Sequence, residues 1–312
     1  SFGATDRFNL AGRALEAIES LVDDIESDVV LGSGTPHIDA VRQKASQMNK
    51  RVNVHVDTDQ VATLLTRADL ALGSPGITSW ERCCLGVPAL IVPWADNQKD
   101  NAEALERIGA GIHLGWESDV TAGVIASALQ EVIDGKTRLD DMSRAAAGAC
   151  DGRGAIRVAM ELLSLEPGEG GEEVTLRLAD KTDGNTLLRW RQDDHVREYF
   201  RVKEKPSPEE HRKWLDSCLN DPDRYLMMII SGDDDAGSVR LDGQSDGSYE
   251  ISIYIDPPFF KRGLATAALR LLCKLWPGVS LVADVLPENT ASLALFKKCG
   301  FIRNSEGKFI SQ

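Results

Sequence analysis

The chain has 312 residues, 42% of them hydrophobic, and its 49 acidic against 35 basic side chains leave a formal net charge of −14. That length and apolar content suit two domains with a core each. The acidic balance argues against a nucleic-acid partner, because phosphate-backbone binding needs a basic surface, and no apolar run approaches membrane-spanning length.

In chain order, Ser1-Phe2-Gly3-Ala4-Thr5-Asp6 precedes Asn9-Leu10, which opens a helix. Strands then read at 29–31, 52–56, 70–72, 90–92 and 112–114, with helices near 38–49, 58–67, 77–85 and 99–109 between them. Such alternation predicts a parallel sheet covered on both faces. Helices near 121–134 and 136–164 complete a first domain, 1–164, and the Gly-, Pro- and Glu-rich run 165–173 reads as a linker. The second domain, 174–312, has a different order: a strand at 174–178, helices at 187–200 and 208–219, strands at 225–230, 237–241 and 249–255, a helix at 263–276, a strand at 280–285, a helix at 290–299 and two short strands. Cys83, Cys84, Cys150, Cys218, Cys273 and Cys299 lack C-x-x-C spacing and read as reduced core thiols of a cytoplasmic protein, with no metal implied.

The first candidate site lies in 73–101. The strand Leu70-Ala71-Leu72 runs into Gly73-Ser74-Pro75-Gly76, and Ile77, Thr78 and Ser79 begin a helix whose free N–H groups can hold a phosphate. Glu81 sits one turn in, where a carboxylate reaches ribose hydroxyls. Gly86-Val87-Pro88 stops the helix, and the next strand delivers Asp96, Asn97 and Gln98, with Asn101 behind them, to a second loop on the same sheet edge. Two such loops suit a nucleotide sugar.

The run Thr78-Ser79-Trp80-Glu81-Arg82-Cys83-Cys84-Leu85-Gly86-Val87-Pro88 and the run Ala95-Asp96-Asn97-Gln98 with Asn101-Ala102 resemble the nucleotide-binding half of GT-B glycosyltransferase-like proteins. They look most like the UDP-sugar hydrolase of pseudaminic acid biosynthesis, and less like the lipid-II-forming N-acetylglucosaminyltransferase. One departure is Pro75, where the hydrolase turn is usually Gly-Gly. In that family a segment like 1–6 is the first strand and loop of the second half of the protein, so the resemblance implies a first half upstream that closes over the sugar. It also places the hydrolase's catalytic histidine in that other half, so this chain alone is expected to release little UDP.

The second candidate site gathers at the joints of 174–312. Lys261-Arg262-Gly263-Leu264-Ala265-Thr266 puts glycine, small residues and two cations at a helix start directly after a strand, which suits a pyrophosphate. This run, the strand Ile251-Ser252-Ile253-Tyr254-Ile255 and the block from Pro287 through Asn289, Ser292 and Phe296 to Gly300-Phe301 resemble the GNAT acetyltransferases over essentially all of 174–312. The resemblance implies acetyl-CoA as cofactor, held by Lys261 to Thr266, by the backbone of Ile253, Tyr254 and Ile255, and by Asn289, Ser292 and Phe296. Phe260 stands where the family pattern has Gln or Arg. Phe296 stands where it often has the tyrosine that protonates the departing thiolate. Glu250 is the expected base for the attacking ammonium, with His211 and His195 behind it.

Leu188-Arg189-Trp190-Arg191-Gln192, with Trp214 after it, resembles the substrate side of GNAT enzymes that acetylate the 4-amino group of UDP-linked amino sugars. Trp190 and Arg191 are therefore expected to touch the substrate, although Trp190 and Trp214 also suit helix-face packing. The fold class expected is α/β: a Rossmann-like parallel-sheet half of a GT-B fold followed by an α+β GNAT domain. In the implied pathway, acetylation of the UDP-4-amino sugar immediately precedes hydrolysis of the UDP bond, so the fusion joins consecutive steps. The alternatives are a glycosyltransferase donor domain, or a non-catalytic UDP-sugar-binding module joined to a GNAT that acetylates a protein amine.

Overall fold

A computed structural model describes residues 1–163, 166–169 and 171–311, in two compact units that divide after Gly152. No described helix is long and apolar enough to cross a membrane.

The first unit alternates strands and helices in the expected order. Helix α1 (Leu10–Ser20) leads to β1 (Ser27–Leu31), α2 (Ile38–Gln47), β2 (Val52–Val56), α3 (Val61–Thr66), β3 (Ala71–Gly73), α4 (Thr78–Cys84), β4 (Ala89–Ile91), α5 (Lys99–Arg107) and β5 (Gly111–His113). Helices α6 (Ala122–Asp134) and α7 (Lys136–Ala149) close it. All strand pairs are parallel: β1 with β2, and β3 with β4 with β5. The segment from Ser1 to Ala4 lies between the two groups. The Ser1 nitrogen donates to the Leu72 carbonyl at 2.9 Å and Ser74 N–H donates to the Ser1 carbonyl at 3.3 Å. On its other side, a Cβ on Gly32 would stand 2.5 Å from the Ala4 carbonyl oxygen, so only glycine allows that approach.

Every residue of β4 is buried, as a strand covered on both faces requires. Leu90 packs with Phe2, Leu10, Leu15 and Ile125 on one side, while Ala89 and Ile91 pack with Cys83, Leu105 and Ala146 on the other. Cys84 is exposed, unlike the buried Cys83, and is not the core thiol expected.

The second unit begins with α8 (Gly154–Leu162), which packs on β7 (Glu173–Leu178). The continuous helix expected over 136–164 is interrupted at 150–153, where an extended Cys150 ends α7 and Gly152 takes φ +70° before α8 begins. Of the expected linker, Leu165 and Gly170 lie outside the described residues. Glu166–Pro167 form a short strand, β6, antiparallel to Glu173 and Val174. The chain continues through α9 (Gly184–Gln192), α10 (Asp194–Arg197), α11 (Pro208–Asn220), β8 (Arg224–Ser231), β9 (Asp234–Gly243), β10 (Tyr249–Ile255), α12 (Leu264–Leu275), β11 (Leu281–Ala283), α13 (Thr290–Lys298), β12 (Ile302–Arg303) and β13 (Phe309–Ile310). The single helix expected over 187–200 is two, because the Asp193 side chain accepts from His195 and Val196 N–H and starts a new helix.

These strands form one sheet in the order β12-β13-β11-β10-β9-β8-β7-β6. It is antiparallel except where β10 meets β11. Residues of β8 alternate faces: Met227 and Ile229 join Ala268 and Leu272 of α12, whereas Leu226 and Met228 join Leu187, Trp190 and Leu215 of α9 and α11.

Candidate functional sites

Because β3 and β4 run parallel, with Gly73 opposite Ile91, the loops that follow them leave from the same sheet edge. The side chain of Asn101, in the first turn of α5, donates to the Pro75 carbonyl at 3.2 Å and ties α5 to the first loop. Ile77, Glu81, Asp96 and Asn97 are exposed or half-buried, as is Thr78, and nothing lies within 4 Å of a Cβ built on Gly76. These residues, with Asn101, form the outward face of the candidate nucleotide site.

Ser79 and Gln98 do not. Ser79 is 1% exposed and its hydroxyl accepts from the Arg82 guanidinium at 2.8 Å, while the buried Gln98 side chain accepts from Trp94 N–H at 3.0 Å. Both maintain the loops rather than offering side-chain ligands. Ser74 is also buried, its carbonyl accepting from Arg82 at 3.1 Å. Arg82, quoted in the motif above without a role, is therefore the hub beneath this loop. Desolvation pushes its guanidinium down to about 10, although Cys83 and Glu81 oppose the shift.

In the second unit, β10 pairs with β11 only at Tyr249–Leu281 and Glu250–Val282, whereas it pairs with β9 along its whole length. From Ile251 onward the two strands part. Tyr249 N–H donates toward this side, to the Ser280 carbonyl, so strand alternation turns the backbone groups of Ile251, Ile253 and Ile255 to the same parted edge. The N–H and C=O of Tyr254 face β9 instead, so its backbone does not join that edge.

After β10, Lys261 and Gly263 both take left-handed backbone, φ +63° and +76°, immediately before α12. Successive turns of this kind gather N–H groups into an anion-binding concavity. Leu264 and Thr266 are buried and Ala265 half-buried, so the start of α12 offers backbone rather than side chains, whereas Lys261 and Arg262 before it are exposed. The donor set fits a pyrophosphate, but it already has neighbours. Glu169 N–H donates to the Arg262 carbonyl at 2.8 Å, Glu172 pairs with Arg262 at 3.4 Å, and Glu169 pairs with Lys298. The hydrogen bond from Lys298 holds the Glu169 carboxyl below its usual range. Sequence reasoning read this acidic turn only as linker.

Other expected ligands are committed to the fold. Phe296 is 2% exposed and packs on Phe301 and Phe309 with ring centres 5.1 and 5.7 Å away, inside the core. Asn289 caps α13 by accepting from Ser292 N–H at 3.0 Å. His211 is buried, with Nε2 at 2.9 Å from the Gly184 carbonyl and Nδ1 at 3.2 Å from an Arg191 nitrogen. That pattern makes Nε2 the donor and Nδ1 the acceptor, so neither nitrogen is free to take a proton from substrate. Burial, then the Arg191 charge, lowers its pKa. His195 is exposed beside Asp193, at 3.6 Å.

Glu250 is half-buried and shares a strand face with Ser252 and Tyr254 by alternation. The Tyr254 ring meets Trp190 edge-on, centres 5.9 Å apart, so this is the face that α9 and α11 cover. Arg191 lies 3.9 Å over the Trp214 ring, and Arg240 of β9 lies 5.9 Å from the same ring. Trp190 is 1% exposed, a packing residue, yet its indole Nε1 has no hydrogen-bond partner among the described residues. Burial pushes the Tyr254 phenol up to about 12, keeping it protonated.

With this geometry in view, the comparisons divide the chain the same way. Residues 3–156 match the glycosyltransferase family 28 C-terminal domain, and residues 173–302 match the acetyltransferase (GNAT) domain. The uncharacterized protein MJ1062 of Methanocaldococcus jannaschii is 22% identical over 99% of this chain and 62% of its own length. The spore coat polysaccharide biosynthesis protein SpsG of Bacillus subtilis is 26% identical over 53% of this chain and 49% of its own length. The chain thus matches less than two thirds of the length of either relative. A crystal structure of aminoglycoside acetyltransferase AAC(6')-Ib with coenzyme A is 21% identical, covering 45% of this chain and 94% of that one, with TM-score 0.39. The chain therefore joins a Rossmann-like, glycosyltransferase-type half to a GNAT fold, the fold class expected.

Proposed function

We propose that the second unit transfers an acetyl group from acetyl-CoA to an amine, the 4-amino group of a UDP-linked amino sugar, and that the first unit binds the UDP part of the acetylated product, as consecutive steps of nonulosonic (pseudaminic) acid biosynthesis. The observation that carries the acetyltransferase reading is the parting of β10 from β11 beside the left-handed turn at 261–263.

When bound, acetyl-CoA supplies an activated thioester. The parted edge of β10 offers the N–H groups of Ile253 and Ile255 to pantetheine and to the carbonyl oxygen that gains charge. The turn at 261–263 and the start of α12 would hold its pyrophosphate. Glu250 takes the proton of the attacking ammonium, directly or through one water. Arg191, stacked on Trp214, gives the substrate's diphosphate a planar cation. With Phe296 in the core, its position supplies no acid, and the proton for the departing thiolate would come from water or another donor. In the first unit, the loop at 74–78 faces the diphosphate of the nucleotide sugar, Glu81 the ribose, and Asp96, Asn97 and Asn101 the sugar.

Replacing Glu250 by Gln tests the base assignment. It is expected to lower kcat by roughly a hundredfold while leaving acetyl-CoA binding unchanged. An unchanged kcat removes Glu250 from the mechanism.

A further inference from the structure

Arg82 is 3% exposed, and its hydrogen bonds go to neutral oxygens, the Ser74 carbonyl at 3.1 Å and the Ser79 hydroxyl at 2.8 Å. Its Nε has no partner and no carboxylate among the described residues makes a salt bridge with it; the exposed Glu81 carboxylate acts on it through its charge, without a contact. Both bonds leave from one terminal nitrogen, and neutral partners do not balance a guanidinium's charge; a buried charge without a close counter-ion is costly. The fold nonetheless makes room for it. A Cβ on Gly73 would come within 2.8 Å of an Arg82 terminal nitrogen, so the bare glycine lets the guanidinium lie against the end of β3. Two consecutive carbonyls of the loop are pinned by side chains from different helices, Ser74 by Arg82 of α4 and Pro75 by Asn101 of α5.

We propose that Arg82 is a positioning residue for a diphosphate: it holds the loop at 74–78 from beneath, and its unpaired charge gives that loop the positive potential that selects a nucleoside diphosphate over an uncharged nucleoside. This rests on the reading of the first unit as a nucleotide-sugar binder. The ligand's anion is the close counter-ion that Arg82 does not have among the described residues. The guanidinium is buried and touches the loop directly, so its field is weakly screened there. Its depressed pKa fits the same picture, because an anion seated on the loop favours the protonated form.

Calorimetric titration of the whole chain with UDP, UMP and uridine tests this, using wild type, Arg82→Met and Arg82→Lys, each checked for folding by circular dichroism. Wild type is expected to bind UDP far more tightly than uridine. Arg82→Met should lose at least tenfold in UDP affinity with uridine unchanged and with a flatter salt dependence, whereas Arg82→Lys should keep most of the preference for UDP. If UDP and uridine weaken together in both variants, Arg82 is only a clamp and the proposal fails. An unchanged UDP-to-uridine ratio in Arg82→Met overturns it as well. Should Arg82→Met not fold, Arg82→Gln takes its place: an unchanged UDP-to-uridine ratio overturns the proposal and a collapsed one supports it. If wild type itself binds neither UDP nor uridine, the nucleotide-sugar reading falls, and this inference with it.

Discussion

His211 shows how burial decides the role of a titratable side chain. Its two ring nitrogens serve the Gly184 carbonyl and Arg191, and its pKa lies below the ordinary 6.5. Below 6.5 the unfolded chain takes up this proton first, so the stabilisation is complete above that pH and is lost as pH falls. His211→Gln should flatten that part of the stability-against-pH curve while preserving the pH profile of acetyl transfer above it. Chemical denaturation on either side of the ordinary histidine range checks the first effect, and an altered kinetic pKa would restore His211 as a base. Phe296 is the companion case. Phe296→Ala should cost about 3–5 kcal/mol in urea unfolding, as a large core truncation does. Phe296→Tyr should not accelerate acetyl transfer, because the new hydroxyl enters a cluster with Phe301 and Phe309. Residue types and spacing pointed to both candidate sites, but which way a side chain turns was not legible in them. Ser79 and Gln98 look like ligands in a polar run and are spent on Arg82 and Trp94.

At the scale of elements, alternation of apolar and polar segments carried most of the fold. The parallel strands of the first unit and the long antiparallel run of the second follow from it. What it missed are local breaks, at 150–153 and at Asp193, and two segments that gain order only from distant partners. Ser1 to Ala4 joins β3 through backbone bonds, and Glu166–Pro167 pairs with β7. The acidic turn after that strand has a consequence for catalysis. Glu169 and Glu172 engage Lys298 and Arg262, cations beside the turn that suits a pyrophosphate. The double substitution Glu169→Gln with Glu172→Gln should lower KM for acetyl-CoA severalfold and reduce the effect of salt on it, as steady-state kinetics will show; a raised KM would mean that these carboxylates support the site. Gly263→Ala should weaken acetyl-CoA binding, because φ +76° disfavours a side chain by about 1–2 kcal/mol and the added Cβ would meet Glu169 at 2.5 Å.

For the whole molecule, the central claim is that both units serve one class of small molecule. Its support is the joining of a glycosyltransferase-type half to a GNAT domain in one chain. Covalent linkage raises the concentration of an intermediate near its next site without new contacts. The acetyl acceptor decides the matter. The purified chain should be given acetyl-CoA with a panel of UDP-4-amino-4,6-dideoxy sugars and, separately, a peptide amine, following thiol release and product mass. The account predicts a singly acetylated UDP-sugar and no acetylated peptide. Acetylation of the peptide alone would contradict it and leave the two units without a substrate in common.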